Sequence, residues 1–186
     1  QDDFQIFIDL DKTYSRNEEY TVYVKYIARP NEVKAEGSSA ISGAKGLYFI
    51  NPTGEEPNKP TQIWTQGEPE SNSAWFPTID KPNQKTSQEI YLTVPDQYVT
   101  LSNGKLEKQT KNSDGTRTDY WNFKEKHAPY LFFVGIGDFA VIKDKWEDIV
   151  VDYYVEHEYA EYAKDIFGDT PEMIQFFSDI LQYKYP

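Results

Sequence analysis

The chain has 186 residues, 31 acidic and 19 basic, for a net charge of -12. That length suits one domain, or one domain and a piece of another. The charge argues against nucleic acid or an anionic membrane surface as a partner. The absence of cysteine excludes disulfides, thiolate metal sites and a cysteine nucleophile.

The acid surplus favours solubility and would attract cationic ligands, such as the free amino group of a peptide. No apolar run approaches the ~20 residues of a membrane span. The polar start Gln1-Asp2-Asp3 does not read as a signal peptide, and no targeting segment is expected within these residues. Localisation stays open between periplasmic, secreted and cytoplasmic.

The aromatic-rich, leucine-poor composition tilts toward sheet. Residues 5–10 alternate loosely. Tyr20 to Ile27 alternates cleanly, with Val22, Val24 and Tyr26 on one face, which predicts a half-buried strand. Pro30 ends it, and residues 31–46 read as a polar loop. Gly46 to Ile50 predicts a short buried strand, and the proline-rich stretch to Pro60 a turn and long loop. Glu89 to Val94 predicts a strand with Ile90, Leu92 and Val94 inward.

Tyr98 to Leu101 is expected to pair as a hairpin across Asn103-Gly104, since Asn-Gly supplies the positive φ angles of a tight turn. A second turn, Asn112 to Gly115, precedes the aromatic stretch Thr118 to Phe123. Tyr130 to Gly137 predicts a central strand and Asp148 to Val155 the last one.

The period then becomes helical. Residues 158–167 predict a short helix closed by Gly168. Thr170-Pro171-Glu172 predicts a helix start, with Thr170 as N-cap and Pro171 in the first turn. Ile174, Phe177 and Leu181 follow at helical spacing. The fold class is therefore mainly β, an antiparallel domain over 1–156, with short helices over 157–186 belonging to a second, truncated domain.

Candidate chemistry is sparse. His157-Glu-Tyr-Ala-Glu161 begins as an H-E-x-x-H zinc helix does but ends in Glu. It reads as a polar strand-to-helix junction, because that motif needs two imidazoles one turn apart. His127, before Ala128-Pro129, reads as a loop histidine. Gly135-Ile-Gly137 lacks the third glycine and the following helix of a dinucleotide site. No pair of carboxylates stands out for glycoside hydrolysis, and no G-x-S-x-G elbow is present. The run Ile63 to Glu70, leading into Ala74 to Pro82, reads either as a ligand-lining loop or as a surface loop with Trp75 and Phe76 as core anchors.

Thr65-Gln-Gly-Glu-Pro69 followed by Ala74-Trp-Phe-Pro-Thr-Ile-Asp-Lys-Pro82 resembles the T-Q-x-E-p…a-F-P-c-f-D-x-P signature of zinc aminopeptidases of the aminopeptidase N and leukotriene-A hydrolase family. Leu101 to Leu106 resembles the family's v-S-N-G-x-L hairpin, and Pro129 to Phe139 its p-x-Y-L-x-x-x-x-v-G-x-F stretch. Thr170 to Phe177, with the trailing Tyr185-Pro186, resembles the first helix of the catalytic domain.

The resemblance implies a saddle-like β-domain ahead of a catalytic domain. It implies Gln66 and Glu68 as substrate-binding residues, with Glu68 holding the α-ammonium of a peptide substrate and Gln66 as a second polar contact. The family's G-x-M-E-N loop and H-E-x-x-H…E zinc motif are absent from these residues. Zn2+ is therefore expected in the parent protein and not in this part, which would be inactive alone. The resemblance also leaves the family's first strands unaccounted for, so the β-domain is expected to be incomplete, with an exposed edge through which two copies could dimerise. The alternative is a carbohydrate- or protein-binding β-sandwich without catalysis.

Overall fold

The computed structural model describes residues 5–33 and 44–186, so most of the loop expected over 31–46 lies outside the described residues. The fold is mainly antiparallel β. A four-stranded sheet has β1 (Leu47–Ile50), β2 (Gln62–Thr65), β7 (Val134–Gly137) and β4 (Val99–Ser102) in that spatial order. A three-stranded sheet orders β3 (Thr86–Pro95), β6 (Thr116–His127) and β5 (Lys105–Lys111). A separate hairpin joins β8 (Ala140–Trp146) to β9 (Ile149–Val155).

Alternation places the core as expected on β3, where Val94 is buried and Ile90 and Leu92 share its face. Trp121 is buried opposite Ile90 on one side and Leu106 on the other, at the centre of the three-stranded sheet. The turn at Asn112 to Gly115 closes the β5–β6 hairpin. Its Thr116 N–H donates to the Asp114 side chain, and Asn112 N–H to Thr116 O.

The Asn103-Gly104 pair does not make a hairpin. It is a corner: β4 leaves to pair with β7 while β5 pairs with β6. Asn103 holds the corner by donating to Leu131 O (2.8 Å) and accepting from Phe133 N–H (2.6 Å). Gly104 has φ +85°, and a Cβ there would sit 2.7 Å from Phe123 Cα. Gly104 takes the expected positive φ but Asn103 does not, and long-range partners choose the pairing.

The two larger sheets are joined through β4 by polar side chains. Thr100 donates to Asp119 Oδ2 (2.7 Å) and accepts from the Trp121 indole (3.0 Å). Gln88 donates to Ser102 Oγ (3.1 Å), which donates to Phe133 O (2.7 Å). Asp119 has no exposed surface and receives a two-pronged contact from Arg117, at 2.7 and 2.9 Å, plus Gln109 at 3.1 Å. Burial pushes the Asp119 pKa up, but the Arg117, Thr100 and Gln109 bonds outweigh it and hold it below the usual range.

The strand expected over Tyr20 to Ile27 does not form; no helix or strand lies between residues 5 and 29. An alternating pattern makes a strand only when a neighbouring strand completes its ladder. Val22, Val24 and Tyr26, with Ile6, Ile8 and Ile27, instead line an open apolar groove facing Trp75 and Ile79; Val22 and Tyr26 are exposed rather than half-buried, and Tyr23 is exposed too.

At the other end, a 3-10 helix (His157–Tyr162) leads into α1 (Ala163–Phe167) and α2 (Thr170–Ile180). Asp169, not Thr170, is the residue preceding α2, and Thr170 Oγ1 instead donates to Phe167 O. The helix is tied back to β8 by the Trp146 indole, which donates to Gln175 Oε1 at 3.0 Å.

Candidate functional site

Gln66 and Glu68 bracket Gly67 just beyond β2. The β1–β2 register (Leu47 opposite Thr65) is prolonged by one bond, Gln66 N–H to Gly46 O at 2.9 Å. Gln66 therefore continues the strand and keeps the parity of Gln62 and Trp64, opposite to buried Thr65. After it the chain leaves the sheet. The Glu68-Pro69 peptide is cis, and the 3-10 turn Asn72–Ala74 folds the loop back.

The loop's carboxylates are not equivalent. Glu70 is paired with Lys81 at 2.6 Å, and Asp80 accepts the Ser73 N–H at 2.8 Å. Glu68 is exposed, and among the described residues neither its carboxylate nor the Gln66 side chain has a hydrogen-bond or ion-pair partner. Glu68 thus differs from Glu70, whose charge is matched by Lys81, and from Asp80, which caps a backbone N–H.

The loop's inner side is held from below. Asn72 is fully buried. Its amide donates to Pro129 O (2.6 Å) and Phe132 O (3.3 Å), and its carbonyl accepts the Trp75 indole N–H (2.8 Å). Thr65 Oγ1 accepts the Val134 N–H (2.9 Å). Rings continue the support: Trp75 meets Phe76, Phe76 meets Phe132, and Phe132 stacks on His127, whose other neighbour is Phe123. Trp75 and Phe76 are thus anchors beneath the loop.

His127 is not a loop histidine. It ends β6 with the inward parity of Asp119, Trp121 and Phe123, and is buried with neither ring nitrogen hydrogen-bonded to the described residues. Burial pushes its pKa below the ordinary value. The unfolded chain therefore takes the proton first, and this contribution to stability is lost as pH falls below about 6.5. We expect His127→Phe to flatten the decline in urea midpoint between pH 8 and pH 5; an unchanged slope would assign that decline elsewhere.

His157 and Glu161 are not brought together as metal ligands. The segment His157–Tyr162 is a 3-10 helix with about three residues per turn, so the i and i+4 positions diverge. The His157 imidazole pairs with Asp138 at 2.9 Å. Among the described residues, no group of three or more His, Asp or Glu side chains could hold a metal ion. No helix among them is long and apolar enough to cross a membrane.

The motif shared with a family singles out Gln66 and Glu68 as candidates, and the structure sets them on either side of buried Gly67. Sequence reasoning missed Asn72, whose neighbours in Ser71-Asn-Ser73 look like any polar loop. The usable signal was Gly67, which marks a close approach.

Comparison with known proteins agrees with the motif. The chain is 24% identical over 168 residues to endoplasmic reticulum aminopeptidase 1 of Rattus norvegicus, covering 90% of the chain and 17% of that protein. It is 23% identical over 144 residues to transcription initiation factor TFIID subunit 2 of Gallus gallus, covering 76% of the chain and 12% of that protein. The chain thus spans less than a fifth of either relative, and the two bear names from different functional classes. The peptidase M1 N-terminal domain profile matches residues 1–131, and the chain belongs to that family.

Proposed function

We propose that this chain is the amino-terminal part of a longer zinc-dependent aminopeptidase that removes amino-terminal residues from peptides, and that its 65–70 loop binds the substrate's α-amino group. The observation that carries this reading is the unpaired, exposed Glu68 beside Gln66, in a loop whose other acids are already engaged. A carboxylate fixed there would hold an ammonium by a charge-assisted hydrogen bond. Capturing the free amine sets which peptide bond is presented, so exopeptidase selectivity follows from one ion pair.

Among the described residues, no cluster of side chains fits a zinc ion. The metal and the water it activates belong, on this reading, to residues elsewhere in the parent, and the chain alone is expected to hydrolyse nothing.

The test is made in the parent protein. Glu68→Gln keeps the shape and removes the charge. It is expected to lower kcat/KM for an alanyl anilide by roughly ten- to hundredfold, the worth of one hydrogen bond to a charged group. An unchanged kcat/KM, or a parent without an H-E-x-x-H motif after Pro186, refutes the reading.

The second reading, a sugar-binding sheet, draws on Tyr91. Its exposed ring stacks on Tyr120 at 4.5 Å and 8°, making a flat aromatic surface. Glycan titration followed by tryptophan fluorescence favours it if a saturable response appears.

A further inference from the structure

We propose that Asn72 is the positioning residue of the amine-binding loop, acting through Gly67 to fix the separation and direction of Gln66 and Glu68. This rests on the amine-binding reading above. Asn72 has no exposed surface, so it touches no ligand itself. Every hydrogen-bonding direction it uses is committed: two donor bonds to Pro129 O and Phe132 O, one accepted from the Trp75 indole.

The contact with the loop is made by packing. A Cβ on Gly67 would lie 2.6 Å from the Asn72 amide carbon and 2.6 Å from Tyr130 O. Gly67 is therefore seated directly on the Asn72 amide and the 129–132 segment, with the two ligand-facing residues one step to either side. The Gly67 carbonyl is also used, accepting the Ser71 N–H at 2.8 Å. A side chain that fixes the middle residue of a three-residue loop fixes the outer two. No smaller residue supplies both donors at once, since serine has one and alanine none.

Asn72→Asp keeps the acceptor for Trp75 and replaces both donors with an acceptor facing two carbonyl oxygens. Trp75→Phe is the milder variant: it keeps a ring and deletes only the N–H that orients the Asn72 carbonyl. Both are made in the parent protein, alone and combined with Glu68→Gln. Val94→Ala, in a different sheet, serves as a comparison for simple loss of stability.

We expect Asn72→Asp to raise KM for an alanyl anilide about tenfold or more, with kcat within about threefold, as a misplacement of binding groups should. Trp75→Phe should raise it by a smaller factor. In either background Glu68→Gln should cost less than it does in the unmodified protein, because a misplaced carboxylate has less to lose. In the Val94→Ala background the Glu68→Gln effect should be undiminished.

If Asn72→Asp does not fold, the Trp75→Phe cycle decides. A full, additive Glu68→Gln effect in the Asn72 or Trp75 backgrounds overturns the positioning role while leaving the amine-binding reading intact. A Glu68→Gln variant that is itself silent overturns both.

Discussion

Replacing Asp119 with alanine is expected to destabilise the chain by about 3–5 kcal/mol, the usual result of removing one member of a buried, hydrogen-bonded ion pair. Asp119 has no exposed surface and the Arg117 side chain is 12% exposed, so the pair is largely shielded from water in the folded state. Without the carboxylate, Arg117 keeps only its contacts to Asp96 and to Tyr98 O, while Thr100 and Gln109 lose their acceptor. The measurement is the urea midpoint at neutral pH; a shift below about 1 kcal/mol would mean that water reaches the pair. The same pair gives a pH signature. Because the Asp119 pKa is depressed on folding, its contribution is complete above the unfolded carboxyl pKa near 4 and is lost as pH falls further. Acid unfolding below pH 4 should be markedly gentler in Asp119→Ala.

Trp121→Ala should have a comparable effect, about 3–5 kcal/mol, from the cavity left by a large buried ring. The indole is 5% exposed and lies between Ile90 and Leu106, so atoms are removed from both halves of the three-stranded sheet. It also donates to Thr100, the hydroxyl that serves Asp119. The two substitutions share that hydroxyl, and the double variant should fall short of the sum of the singles by 0.5 kcal/mol or more. Strict additivity would show that Thr100 does not link the sheets energetically.

The elements that could be read from the chain are those whose pattern is local. The β3 alternation, the Asn112 to Gly115 turn and the helical spacing after Thr170 each depend on neighbours within a few residues; the strand expected over Tyr130 to Gly137 forms only over Val134–Gly137, because Pro129–Leu131 is a 3-10 turn. Two readings failed where distant partners decide. Asn103-Gly104 has hairpin chemistry, yet the Asn103 side chain bonds to residues near 131 and 133 and sends the two strands to different sheets. Tyr20 to Ile27 has strand alternation but no ladder to join.

At the candidate site, the motif singles out Gln66 and Glu68 as candidates, while the residues packed beneath them carry no signal of their own in the sequence. A buried asparagine and a buried histidine have the same letters as exposed ones. Only the strand parity of His127 with Trp121 and Phe123 distinguished it, and that parity becomes useful once β6 is known to run as far as residue 127.

The loop that carries Gln66 and Glu68 is also an assembly of early and late chain. Its bonds to Pro129, Phe132 and Val134 span 57, 60 and 69 residues of sequence. During vectorial synthesis at about 5–20 residues per second, the loop is made several seconds before its supports exist. Until then β2 can pair only with β1, and Asn72 has no carbonyls to hold. Contacts of such separation form slowly, so this loop should be among the last parts of the domain to become ordered.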